Sequence, residues 1–167
     1  LRLRGADPSI IARIQSTVPL VRDSRQDCWL CDAMHAGPLR ELLGIERHDP
    51  VSITPKRMPV LREDQVRAID AFEQGGRRGV VVMPTGTGKT VVALSLIARQ
   101  QCSVLIVVPV RDLMYQWHAK ILQAFGVDAG LIGDGVHRVS PISITTYDSA
   151  AIHMPRIGDR FDMIVFD

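Results

Sequence analysis

Long apolar runs are what this 167-residue sequence most plainly lacks. The longest, Val104–Val110, is broken by Pro109 and falls far short of the roughly 18–20 residues that span a bilayer. The first residues show no charged-then-apolar leader pattern. No membrane partner is expected, and the expected location is intracellular, cytoplasmic if the source is prokaryotic or a phage. Cysteine is scarce as well. Three residues, an odd number, argue against a disulfide framework and for a reducing interior. An excess of one charge is also missing. Twenty Lys+Arg against eighteen Asp+Glu leave +2, so binding of a polyanion cannot rest on net charge and any nucleic-acid contact must be local. Internal repeats and low-complexity segments are absent too.

What remains is the composition of an ordinary globular protein, 46% hydrophobic and 23% charged. A chain of this length buries roughly 70% of its unfolded surface, enough for a sizeable core. Residue 1 is Leu, and the sequence stops at Asp167 directly after an apolar run, so a piece of a longer protein is expected.

Two regions differ in texture. Residues 1–60 are mixed, with Asp7-Pro8 opening a helix to about Gln15, a short helix at Pro38–Leu43 stopped by Gly44, and turns and a linker elsewhere. This part reads as a partial upstream module of unknown fold. From Leu61 onward the pattern is regular. Helices are expected at Arg62–Glu73, Lys89–Gln100 and Arg111–Phe125. Strands are expected at Gly79–Met83, Ser103–Val110, Ala129–Ile132, Ile142–Thr146 and Phe161–Phe166. Gly79–Met83 is short and wholly apolar, which suits a strand buried on both faces. Strands alternating with helices of ten to fifteen residues predict an α/β fold, a mainly parallel sheet with helices on both faces. Ligands of such sheets bind at the carboxyl ends of the strands.

One segment stands where that rule directs attention: Met83-Pro84-Thr85-Gly86-Thr87-Gly88-Lys89-Thr90, between an expected strand and an expected helix. This is the context a phosphate-binding loop requires. Gly86 and Gly88 let backbone N–H groups approach phosphate oxygens, with Thr85 and Thr87 completing the loop. The following helix contributes unpaired N–H groups and the positive end of its dipole. Lys89 would place a charge on the β- and γ-phosphates, and the Thr90 hydroxyl would coordinate Mg²⁺. Only three lysines occur against seventeen arginines, so a lysine at this position is informative. The first position of the pattern is Met83 rather than glycine. Asp167, after the apolar run Met163–Phe166, has the placement of a second Mg²⁺ ligand at the end of a strand. Asp162 precedes that strand and belongs to the wrong end of the sheet.

With these residues in place, the sequence from 61 to 167 resembles the first RecA-like domain of a superfamily 2 helicase or translocase, a P-loop NTPase fold. Leu61-Arg62-Glu63-Asp64-Gln65 resembles the segment with which such proteins read adenine. The resemblance implies that Gln65 bonds the base edge with Arg62 close by. Val108-Pro109-Val110-Arg111-Asp112-Leu113-Met114-Tyr115-Gln116-Trp117 is similar to motif Ia, which implies a DNA-backbone contact at Arg111. Ile144-Thr145-Thr146-Tyr147-Asp148-Ser149-Ala150 is similar to motif Ib, which implies the same for Thr145 and Thr146. Tyr115 and Trp117 could stack on bases, but helix packing is the commoner use of such aromatics.

The T-T-Y-x-S-A run, Gln116-Trp117 and the non-glycine opening of the phosphate loop resemble the XPB-type DNA repair helicases. The helicase subunits of type I and III restriction enzymes are a near alternative, and a non-helicase P-loop NTPase is a more distant one. The resemblance implies Mg²⁺-dependent ATP hydrolysis coupled to movement on DNA or its unwinding, with ATP and Mg²⁺ as cofactors. The phosphate-contacting residues would be Thr85, Gly86, Thr87, Gly88, Lys89 and Thr90, and Lys89 and Asp167 would carry the catalysis. It also implies a second RecA-like domain as partner, and little activity from these 167 residues alone.

In the first region, Cys28-Trp29-Leu30-Cys31 with His35 just after supplies three closely spaced metal-ligand types, and His48 is a distant fourth. There is no second C-x-x-C. Zinc and redox readings stand behind plain packing of two small apolar side chains.

Overall fold

The computed structural model describes residues 2–31, 35–45, 51–157 and 160–167. The chain forms two compact units, Leu1–Asp49 and Pro50–Asp167. The sequence reading drew its line after residue 60. In the structure residues 51–60 go with the second unit, because Ile53 is 2% exposed within that unit's core and its backbone is bonded both ways to the Gln101 side chain.

The first unit has a three-stranded antiparallel sheet in the order β1 (Arg2–Leu3), β3 (Cys28–Leu30), β2 (Val21–Asp23), with helices α1 (Pro8–Gln15) and α2 (Ala36–Leu43). Asp7 caps α1 by accepting the Ser9 N–H at 2.8 Å, Pro8 opens it, and the two helices bury Ile14 and Leu39 in a small cluster with Val18. Gly44 ends α2 in the left-handed conformation at φ 63°. Cys28 is buried in β3, as packing requires. Among the described residues no group of three His, Cys, Asp or Glu side chains is placed to hold a metal, while His48 lies outside the described residues.

The second unit carries α3 (Glu63–Gln74), α4 (Lys89–Gln100), β4 (Val104–Val108), α5 (Arg111–Phe125), β5 (Gly130–Gly133), β6 (Val136–Arg138), β7 (Ile142–Thr146), α6 (Tyr147–Ile157) and β8 (Met163–Phe166). It is the expected α/β fold, a mostly parallel five-stranded sheet in the order β6-β5-β7-β4-β8, flanked by helices. β4 is parallel to both β7 and β8, β5 is parallel to β7, and only β6 runs antiparallel, as the return strand of a hairpin. Helical crossovers α5 and α6 lead from β4 to β5 and from β7 to β8, while β6 returns the chain between β5 and β7.

All five residues of β4 are buried, and its alternation divides them between two cores. Val104, Ile106 and Val108 pack with Ile97 of α4 and Trp117, Ile121 and Phe125 of α5. Leu105 and Val107 pack on the other face with Ile132, Ala150 and Ile157. Burying each such aliphatic side chain contributes roughly 1.5–3 kcal/mol.

One expectation is corrected. Residues 79–83 have no regular structure and form no part of the sheet, and Val80 and Val82 are each 88% exposed. Only alternate side chains, Val81 and Met83, pack against the α3–α4 cluster around Ile69, Val92 and Leu96. A run of apolar residues needs a sheet neighbour to be buried on both faces, and among the described residues this segment has none. No helix is long and apolar enough to cross a membrane among the described residues.

Candidate functional site

The loop after residue 83 is shaped by its two central glycines. Gly86 and Gly88 have φ of 78° and 87°, a region that side chains with a Cβ avoid. At Gly88 a Cβ would also stand 2.5 Å from the Gln65 amide nitrogen, so glycine is needed there for space as well. Gly88 caps α4, whose first residues are Lys89 and Thr90, so the free N–H groups of that helix face the loop. Lys89 Nζ donates to the Met83 and Pro84 carbonyls at 3.0 and 3.4 Å, which holds the ammonium over the loop. The Thr87 hydroxyl donates to the Pro84 carbonyl at 2.5 Å and tightens the turn.

From the other side α3 clamps the loop. Gln65 is 3% exposed. Its Oε1 accepts the Arg62 N–H at 3.0 Å, and its Nε2 donates to the Thr87 carbonyl at 3.2 Å. Arg62 donates to that same carbonyl at 2.5 Å and forms an ion pair with Asp64. The Arg62–Asp64 hydrogen bonds raise the guanidinium pKa and hold the Asp64 carboxyl below its ordinary value. The segment Arg62–Gln65 and the loop are thus one bonded assembly. A glutamine in the first turn of a helix is ordinarily solvated, and its burial here follows from the contact with Thr87.

Asp167 reaches the same place by another route. β8 pairs with β4 in register through Phe166, and the Asp167 N–H donates to the Val107 carbonyl at 3.1 Å, which carries the carboxylate past the carboxyl end of the sheet. Asp162 lies at the opposite end, where its carboxylate accepts the Ser103 hydroxyl at 2.8 Å. Gly86, Gly88, Lys89, Thr90 and Asp167 line one cleft of about 690 Å³. Hard oxygen donors, the Thr90 hydroxyl and the Asp167 carboxylate, suit Mg²⁺. A cation already bonds one of them, since Lys120 Nζ on α5 donates to Thr90 Oγ1 at 3.3 Å. Thr90 and Asp167 line the same cleft, so this oxygen donor set fits the expected metal.

The residues expected to meet DNA fare differently. Arg111 begins α5 with its side chain 68% exposed and paired to Asp134 at 2.6 Å. Tyr115 also donates to Asp134, at 2.7 Å, and that bond raises the phenol pKa. Thr146 is mostly buried, and its hydroxyl bonds Ser149 at 3.0 Å. Thr145 requires a correction. It is 0% exposed and its hydroxyl donates to the Ile132 carbonyl inside the sheet at 2.7 Å, so no side-chain surface is left for a phosphate. β-Branched residues favour strand interiors on packing grounds alone.

Sequence alone does not show two groups beside the site: Lys120, which lines the cleft, and the polar end of Trp117, which reaches Asp167. Trp117 Nε1 donates to Asp167 Oδ2 at 2.8 Å. The available signals were that Lys120 is one of only three lysines and lies one helical turn after Trp117.

Known proteins resemble most of the second unit in sequence. The family model described as "Type III restriction enzyme, res subunit" matches residues 58–167. The chain is 39% identical over 107 residues to the "DNA 3'-5' translocase XPB2" of Sulfurisphaera tokodaii, a match covering 64% of this chain and 24% of that protein. It is 30% identical over 154 residues to the "DNA 3'-5' helicase XPB" of Mycobacterium tuberculosis, covering 88% of this chain and 28% of that one. With the XPB helicase of Kineococcus radiotolerans it shares 36% over 90 residues, 52% of this chain and 16% of the relative. The chain thus spans about a quarter, or less, of the length of these relatives.

Proposed function

The chain belongs to the type III restriction enzyme res-subunit family, in its XPB-type superfamily 2 helicase branch, and from that premise we propose that residues 61–167 form the nucleotide-binding part of an ATP-driven DNA translocase or helicase. The observation that carries this reading is the convergence of Lys89, Thr90 and Asp167 on one cleft at the carboxyl end of the sheet.

In phosphoryl transfer, positioning and charge neutralisation do most of the work. Lys89 would neutralise the β- and γ-phosphate oxygens, and the N–H groups of the loop and of the start of α4 would bond the same oxygens. Thr90 and Asp167 would hold Mg²⁺, which when bound supplies charge neutralisation between those phosphates. Gln65, with Arg62 beside it, would read the adenine edge, for which an amide supplies a donor and an acceptor together; in this structure its two amide atoms bond Arg62 and Thr87. Arg111, exposed at the start of α5, is the side chain we assign to a DNA phosphate, with Asp134 holding it in place. Thr146 contributes through its backbone and the strand end it closes.

The relatives' names carry a 3'-5' polarity and a DNA substrate, and we extend both to the parent protein, with a second RecA-like domain as its partner. In the full-length protein, DNA should stimulate ATP hydrolysis several-fold over protein alone, and an Arg111→Ala variant should lose much of that stimulation while keeping the basal rate. ATP turnover indifferent to DNA would remove the translocase reading.

A further inference from the structure

Trp117 is the largest buried side chain of the second unit's core, 2% exposed among aliphatic residues of α5 and the sheet. Its polar atom does not end there. Nε1 leaves the apolar cluster at the carboxyl edge and donates to Asp167 Oδ2 at 2.8 Å. An indole nitrogen is a donor only, and a buried N–H without a partner costs roughly 1–3 kcal/mol, so this bond is directed and worth keeping. Asp167 directly follows the last residue of β8, and its own N–H is held by the Val107 carbonyl, so the carboxylate starts from a fixed backbone. A carboxylate with one oxygen fixed has its plane set and its second oxygen left to accept something else.

One turn further along α5, Lys120 Nζ lies 5.9 Å from the centre of the Trp117 ring and bonds Thr90 Oγ1. A single helix thus touches both residues assigned to the metal, Asp167 through an indole and Thr90 through an ammonium. We propose that Trp117 is a positioning residue for Asp167: by holding Oδ2 it presents Oδ1 to Mg²⁺ and pre-orders the metal side of the cleft. This rests on the reading of Thr90 and Asp167 as metal-holding residues. Groups that orient metal ligands in this way typically change metal affinity by about 10–100-fold when removed.

The test uses the full-length protein and a non-hydrolysable ATP analogue, whose affinity is measured in EDTA and in Mg²⁺. Trp117→Phe keeps an aromatic ring in the core and removes the N–H together with the five-membered half of the indole. It should reduce the Mg²⁺-dependent gain in analogue affinity by about tenfold while leaving affinity in EDTA unchanged. An undiminished Mg²⁺ gain overturns the proposal, and so does an equal loss with and without metal, which marks a merely structural residue. Asp167→Asn separates the two levels. If it too leaves the Mg²⁺ gain intact, the metal site itself is misassigned; if it abolishes the gain and Trp117→Phe does not, only the role of Trp117 falls. Should Trp117→Phe not fold, the unsubstituted protein answers the question through its tryptophan indole N–H resonances. One that shifts on adding Mg²⁺ to the analogue complex and is broadened away by Mn²⁺ supports the proposal. No such resonance overturns it.

Discussion

The two walls of the cleft are built by opposite means. The wall that ends in Asp167 is sheet and helix: β8 is bonded to β4, β4 is buried along its whole length, and α5 packs across it with Trp117. The wall that ends in Lys89 hangs on an irregular segment outside the sheet, with Val80 and Val82 open to solvent. Its shape comes from two left-handed glycines and from the clamp of Arg62 and Gln65 on the Thr87 carbonyl. Position is set by packing on one side and by local backbone geometry on the other. Substitutions should therefore act through different quantities on the two walls.

The largest contrast is in stability. Ile106→Ala, in the middle of β4, should cost about 2–5 kcal/mol in denaturant unfolding, the range for deleting a fully buried aliphatic side chain. Val82→Ala, in an equally apolar run, should stay within about 0.5 kcal/mol, because nothing is removed from water there. Equal losses at the two positions would erase the distinction between the walls.

Glycine substitutions probe the other wall on a smaller scale. Gly88→Ala forces a Cβ into the left-handed region and against Gln65, so it should cost roughly 1–3 kcal/mol and weaken nucleotide binding. Gly86→Ala meets no atom within 4 Å and should cost only the backbone part, about 1 kcal/mol. The difference between the two measures the clamp from α3. If the two variants behave alike, Gln65 does not shape the loop.

The smallest effect lies away from the cleft, where Asp128 ties α5 to the β5–β6 hairpin. Its carboxylate bonds Arg138, which with His118 holds its pKa well below the ordinary carboxylate value. A carboxyl depressed in the folded state stabilises fully above its unfolded pKa and loses that contribution as pH falls through the folded value. Asp128→Asn should therefore lower Tm slightly and evenly from neutral pH down to about pH 4, and the difference from the unsubstituted protein should shrink below that. The group is exposed, so added salt should also reduce it. A difference that grows on acidification would show that another group controls this hairpin.

Much of this architecture could be read from residue order because it is local. α5 runs from Arg111 to Phe125 as expected, bounded by Val110 and by Gly126 in the left-handed conformation. Ile142–Thr146 is a strand because five residues with a β-branched majority must be buried between neighbours. The hidden parts are those decided by pairing at a distance. β6 is a three-residue strand with every residue exposed, and so it carries no apolar alternation to detect. The strands of the first unit are two or three residues long, below the length at which a period can be seen. α6 starts at Tyr147 directly after β7, with no turn residue to mark the change. Val80 and Val82 were expected inside because their composition suits a strand, yet burial depends on which strands lie alongside.

The site shows the same division. Spacing alone marked Lys89, Thr90 and Asp167, whereas the bond from Trp117 to Asp167 joins residues fifty positions apart and emerged only in three dimensions. Thr145 was misjudged for the converse reason, because a threonine in a strand can use its hydroxyl inward as readily as outward.

The central claim is that the loop ending in Lys89 and the strand end at Asp167 form one Mg–ATP site. Equilibrium binding of a non-hydrolysable ATP analogue with Mg²⁺ to the full-length protein and its Lys89→Ala variant tests it most directly. Loss of the ammonium over the phosphates should weaken binding by at least about tenfold, with Tm in the absence of nucleotide unchanged. Equal affinity in the two proteins would contradict the assignment of the cleft.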